Sequence, residues 1–211
     1  MAFYDRRAAD ATAHAYRGQA MTRTSSAVHA KLLSQEMHSR AMLGNAQRVA
    51  DARRRAECAI AALPVGATRG GAFSISLAED PPYTATSMLL LGQHRQAETA
   101  THRVLTAFYP HGGAGCPENP SGYARTQLIL GMALTGQGKL DQAHAAGSAA
   151  LDSPRPVWPV VALAGRLDQA LVQASANAPE TRDYHQRYLT ISGQPGRTRS
   201  MSVRAPSVTS R

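Results

Sequence analysis

The side chains best equipped for chemistry in this chain are its eight histidines and two cysteines. His29 and His38 are nine residues apart and His94 and His102 eight, so neither pair has the four-residue spacing that puts two metal ligands on one helix face. His111 and Cys116 share a loop with no second ligand pair beside them, and zinc is not expected. His111–Gly113 has the His-Gly-Gly form of an oxyanion loop, but no G-x-S-x-G elbow supplies a nucleophile. Neither glycine-rich loop contains Gly-Lys-Ser or Gly-Lys-Thr, so a phosphate cradle of that type is not expected either. These exclusions point to a non-enzymatic chain with no catalytic residue, no metal and no cofactor.

Charge is the next handle. The formal net charge is +9 over 211 residues. Beyond Asp183 there is no acidic residue, while Arg187, Arg197, Arg199, Arg204 and Arg211 all lie there, so five of the nine excess charges sit at the end. Those arginines could contact nucleic acid through counterion release, but without interleaved aromatics or a base-reading motif they support only non-specific attraction. Arg53, Arg54 and Arg55, with Arg48 nearby, read first as a solvated helix face and second as a phosphate-contacting surface. Asp51 and Arg55 are four apart and are expected to pair. Sequence-specific DNA binding and membrane binding are not expected.

Two cysteines are too few for a disulfide framework. Cys58 falls on an alanine-rich segment and reads as a small buried hydrophobe, and Cys116 as an exposed loop residue. No apolar core of signal-peptide type follows Met1, and no run of 18 apolar residues occurs, so a soluble cytoplasmic protein is expected.

The elements that must position any site are helical. Alanine and leucine abound, aromatic residues are 5% of the chain, and runs of alternating β-branched residues are nearly absent. The spacing predicts a helix from Phe3 to about Ala20. A second, capped from Thr24–Ser26, carries Ala30, Leu33, Met37 and Ala41 on one face and ends at Gly44-Asn45. A third carries Val49, Ala52, Ala56, Ala59 or Ile60, and Leu63. Residues 64–80 read as a long connection in which Phe73, Ile75 and Leu77 alternate. Pro81 and Pro82 suit the first turn of the next helix, which carries Tyr83, Met88 and Leu91 up to Gly92. Ala97, Ala100, Val104, Leu105 and Phe108 mark the following helix, closed by Pro110. Tyr123 to Leu151 reads as a complete helix–turn–helix unit. Tyr123, Gln127, Leu130 and Leu134 share one face, Gly136 and Gly138 interrupt it, Asp141 is placed as a cap, and Ala143, Ala146, Ala150 and Leu151 form a small-residue face. A long helix after Trp158 carries Val160, Leu163, Leu167 and Leu171, and a shorter one from Pro179 carries Tyr184, Tyr188 and Ile191. Residues 194–211 are glycine, serine, proline and arginine, too poor in apolar surface to order themselves, and are expected to be a disordered basic tail.

Three turns align: Leu43-Gly44 with Val49, Leu91-Gly92 with Ala97, and Gln137-Gly138 with Ala143. The glycines are separated by 92 − 44 = 48 and 138 − 92 = 46 residues. Near-equal spacing of helix pairs is the mark of an α-solenoid. The Gly138 unit, with Gly131, Leu134, Ala143 and Ala150, resembles a tetratricopeptide repeat, as does the Gly92 unit, with Ala85, Met88, Ala97 and Val104. The Gly44 unit, with Met37, Arg40, Val49 and Ala56, departs from that pattern at its first two places. The intervals also exceed the usual ~34 residues, which makes 64–80 and 110–122 insertions or longer connections.

Residues 1–192 as a whole resemble the C-terminal region of actinobacterial Xre-type helix-turn-helix transcriptional regulators. The likeness is carried by the Ser25–Leu63 helix pair, Gly71-Ala-Phe-Ser74 leading to Tyr83 and Met88–Gly92, the Leu134–Ala143 turn, and the region from Trp158 to Tyr184. It implies an all-α, right-handed α-solenoid of antiparallel helix pairs over residues 1–193. It also implies a fragment, a mis-started reading frame or a stand-alone sensor, since no DNA-binding helix-turn-helix precedes the array.

The resemblance further implies a concave groove lined by the first helix of each pair, at positions about 13, 10 and 6 before the turn glycine. Those are Lys31, Ser34 and His38, then Glu79, Pro82 and Thr86, then Arg125, Leu128 and Met132. Steps of three and four place each set on one helix face. Lys31 and Arg125 are expected to clamp a carboxylate, and Leu128 and Met132 to receive an apolar side chain. The expected function is a ligand- or peptide-sensing and protein-interaction module of a bacterial transcriptional regulator, with a protein or peptide as partner and a homodimer as one assembly. The alternatives are a free-standing protein–protein adaptor and a nucleic-acid-associated protein acting through its tail.

Overall fold

The computed structural model describes residues 7–64, 81–112, 119–152 and 157–193. Among them the chain is all-helical, as expected, with no strand. The helices are α1 (Ala8–Met21), α2 (Ala27–Met42), α3 (Ala46–Ala61), α4 (Thr84–Leu90), α5 (His94–Phe108), α6 (Pro120–Thr135), α7 (Leu140–Leu151), α8 (Trp158–Ser175) and α9 (Pro179–Ser192). Phe3, the alternation at Phe73–Leu77, Glu79, Cys116 and the tail 194–211 lie outside the described residues.

Local chemistry starts these helices where short polar side chains fall. Ser26 Oγ accepts from the His29 N–H, Asn45 Oδ1 from the Arg48 N–H, and Asn119 Oδ1 from the Gly122 N–H. Each satisfies a donor that the first helical turn leaves orphaned. Asp141 is not a cap: it lies inside the first turn of α7, Lys139 holds the N-cap position, and its side chain makes no capping bond. Pro81 and Pro82 stand before α4 rather than in its first turn, because Tyr83 at the N-cap is left-handed, φ 71°.

The three aligned turns share one geometry. Gly44, Gly92 and Gly138 have φ of 69°, 70° and 74°. In each, the residue after the glycine donates its N–H five residues back: Asn45 to the Arg40 carbonyl, Gln93 to Met88 and Lys139 to Leu134, at 3.1, 2.9 and 3.0 Å. This is the left-handed glycine cap, which satisfies late helical carbonyls and reverses the chain. Five residues on, Val49, Ala97 and Ala143 are buried.

Packing joins the helices in a regular order. α2 packs on α1, α3 and α4; α6 packs on α4, α5, α7 and α8; α9 packs on α7 and α8. One core cluster lies between α2, α3, α4, α5 and α6 (Met37, Val49, Met88, Ala97, Ala133), and another between α6, α7, α8 and α9 (Leu128, Leu134, Ala146, Leu167, Tyr184). Small residues set the spacing. A Cβ on Gly131 would lie 2.8 Å from Leu167 Cδ2 and 3.3 Å from the Ala143 carbonyl oxygen.

One buried charge ties the first three helices. Glu36 is 1% exposed and accepts from Arg55 on both oxygens at 2.8 Å and from Gln19 at 3.0 Å. Burial alone would raise its carboxyl. The hydrogen bonds from Tyr16, Gln19 and Arg55, with the Arg55 charge, outweigh burial and hold it below the usual carboxylate range. Arg55 therefore pairs across helices rather than with Asp51, which takes Arg54 instead. Cys58, expected to be buried, is exposed.

Two measurements check these packing claims. Arg55→Ala strands a buried carboxylate and should cost about 2–3 kcal/mol in urea unfolding at pH 7, less than for a fully buried pair because half of Arg55 faces water. Because the Glu36 carboxyl is depressed, its contribution is complete above the unfolded value near 4.5 and is lost as pH falls below it, so the mutational cost should shrink at pH 3. Gly92→Ala, with open space around the added Cβ, should lose about 1–2 kcal/mol from backbone strain alone. Gly131→Ala should lose about 1–3 kcal/mol from overpacking.

Candidate functional site

The first helices of the pairs differ in length. α2 and α6 have 16 residues each, and α4 between them has 7. At 1.5 Å per residue, α4 is shorter than its neighbours by about 13 Å. On this side of the fold lies a cavity of about 1220 Å³, bordered by α1, α2, α4, α5, α6 and α8. Its apolar wall includes Val104, Phe108, Ile129 and Leu163, and Trp158 stands at the rim, 65% exposed.

Lys31, His38, Thr86 and Arg125 all line this cavity, with Pro82 beside them. Ser34, Leu128 and Met132 do not. Ser34 is buried and returns its hydroxyl to the Ala30 carbonyl at 2.9 Å. Leu128 is 0% exposed and Met132 is buried, both in the core with Leu167 and Tyr184. The cavity face of α6 is instead Gly122, Arg125, Thr126 and Ile129. The repeat-based positions after Arg125 are thus displaced by about one residue, enough to turn an α-helical side chain from groove to core.

Several lining residues went unread in the sequence. Tyr83 follows two prolines and carries no residue-type signal for a left-handed backbone. Its ring centroid stands 5.6 Å from that of His38 and 5.8 Å from Lys31 Nζ. Arg166 was traceable, because Trp158, Ala162 and Arg166 are spaced by fours along α8 and share a face.

Among the described lining residues cations outnumber carboxylates: Arg7, Lys31, Arg125 and Arg166 stand with one carboxylate, Asp10, which pairs with Arg7 at 3.4 Å. Burial lowers the Lys31 ammonium from its ordinary value. Burial, with the Arg166 charge nearby, pushes His38 down to about 4, so its imidazole is neutral at pH 7. The basic run on α3 is different. Arg53, Arg54 and Arg55 are held by Glu57, Asp51 and Glu36, which leaves that run largely neutralised. No group of three or more potential metal ligands occurs among the described residues, and no described helix is long and apolar enough to cross a membrane.

Compared with protein-family models, curated proteins and solved structures, the chain matches none. The cavity therefore has to be read from its own chemistry.

The His38 environment makes a direct prediction. In a histidine-resolved NMR titration its imidazole should protonate near pH 4. Since the unfolded chain protonates near 6.5, stability should fall between pH 6.5 and 4, by about 3 kcal/mol at most. His38→Gln should flatten that slope.

Proposed function

We propose that this protein is a non-enzymatic, ligand- or peptide-sensing and protein-interaction module, built as a right-handed α-solenoid of tetratricopeptide-like antiparallel helix pairs. The solenoid reading is supported by the three matching glycine turns and by the packing of α2 on α4, α4 on α6 and α6 on α8. The binding reading rests on one observation, the cavity of about 1220 Å³ along the first helices. It is larger than the roughly 300–1,000 Å³ of pockets that hold a single small ligand, and it combines apolar walls with a few placed cations. An extended peptide suits such a space better than a compact metabolite.

Occupancy of the cavity would bias how α2, α4, α6 and α8 stack and so alter a partner, a second copy or an attached domain. The regulator setting, in the cytoplasm of a bacterium, is supported by the sequence resemblance described above. An in-frame helix-turn-helix coding region immediately upstream would support it; an unrelated gene there would count against it.

Trp158 is the single tryptophan of the chain and borders the cavity, so it reports occupancy directly. Pools of random hexapeptides should change its emission saturably. Ala162 lines the cavity and is exposed, so Ala162→Phe should preserve the fold while weakening the response at least tenfold. A pool response unaffected by Ala162→Phe would place binding elsewhere, and no response from any pool would remove the peptide reading.

A further inference from the structure

Lys31 is half-buried, lines the cavity, and has no carboxylate partner among the described residues; its neighbour is the π-face of Tyr83, 5.8 Å away. A partly desolvated ammonium resting on an aromatic ring is compensated far less than one facing an anion. His38 lies seven residues on, two helical turns along the same face of α2, and the same Tyr83 ring lies 5.6 Å from it. That ring is delivered by the one non-glycine residue with positive φ among those described, a backbone state that costs energy and persists only where surroundings enforce it. The strained ring thus occupies the space between two groups that can both carry positive charge.

We propose that an acidic side chain of an otherwise apolar peptide binds on α2 between Lys31 and His38, in the place where the Tyr83 ring now lies. This rests on the cavity being the peptide site. Charge complementarity supports it: among the described lining residues Arg125 adds to Lys31, and Asp10, the one carboxylate, is paired with Arg7. A side chain within the peptide is favoured over a chain end. The seat lies where α2 meets α4, and the cavity extends beyond those two helices, with lining residues on α1, α5, α6 and α8.

Seating a carboxylate beside His38 favours its protonated form, so binding takes up a proton. The charged and titratable cavity groups around His38 are Lys31 on its own helix, Tyr83 on α4, Arg125 on α6, Arg166 on α8 and the Arg7–Asp10 pair on α1. The one carboxylate among these described groups, Asp10, is already paired, so the incoming carboxylate is the acid that charges His38 and its affinity rises as pH falls.

The test uses the full chain and three pools of acetylated, amidated hexapeptides of Leu, Phe, Val and Ala, with one fixed Glu, Gln or Lys. Binding is read from Trp158 emission. The Glu pool should bind at least tenfold tighter than the Gln pool, and more tightly at pH 6 than at pH 8, a gain that His38→Gln removes. Lys31→Met should bring the Glu and Gln pools within twofold of each other, and Lys31→Arg should keep the preference if Lys31→Met fails to fold. Equal binding of all three pools overturns the acidic seat but leaves the peptide site standing. Binding of none removes both. A Glu preference that survives Lys31→Met overturns the seat as placed.

Discussion

The structure depends on a backbone reversal that only glycine makes cheaply. At Gly44, Gly92 and Gly138 the chain must leave one helix at φ near +70° and enter the next within a residue or two. Any side chain there would crowd the following carbonyl oxygen, whereas glycine lets the next N–H reach five residues back and close the helix end. Because the reversal is so tight, the two helices emerge in close contact, and the residue five positions on must be small: Val49, Ala97 and Ala143 are all buried. Turn, spacing and small-residue packing form one constraint. It repeats three times, and the alanine-rich composition follows from it.

That constraint explains what could be read from residues alone. Faces such as Ala30–Leu33–Met37–Ala41 and Val160–Leu167–Leu171 are buried as their spacing implied, because local helical geometry decides which residues share a face. What failed was anything decided between helices. Asp51 and Arg55 have ideal spacing for a pair, yet Arg55 goes to a buried Glu36 nineteen residues away, where charge-assisted bonds to both carboxylate oxygens outweigh a solvated pair. Cys58 is alanine-sized and lies in an alanine-rich helix, but it is exposed. Repeat spacing before Gly138 assigns Leu128 and Met132 to the groove. Close packing of α6 against α8 at Gly131 and Leu167 turns them inward and presents Ile129 instead.

The cavity is bordered by a short helix between two long ones rather than marked by any motif. α4 is less than half as long as α2 or α6, so it cannot cover their full length. Nothing in the composition of Thr84–Leu90 announces this. The helix is cut short at its start by Tyr83, whose left-handed backbone is incompatible with a further turn. The prolines before it deepen the break, and the Thr84 hydroxyl donates to the Pro81 carbonyl at 2.7 Å to close the turn. The residue that shortens α4 is therefore also the one whose ring enters the space so created.

A non-glycine residue in that conformation carries a penalty on the order of 1–3 kcal/mol, and its surroundings must supply at least as much. Here they do so through electrostatics as well as packing. The Tyr83 ring gives the Lys31 ammonium a weak counter-surface and packs tilted beside His38, which burial keeps neutral. Withdraw the ring without replacement, and Lys31 loses the aromatic face beside it while strain is relieved, so these two terms oppose each other. A carboxylate that replaced the ring would satisfy Lys31 better, allow His38 to charge, and release the strained backbone at the start of α4. All three changes act in the same direction, toward a different placement of the short helix between α2 and α6.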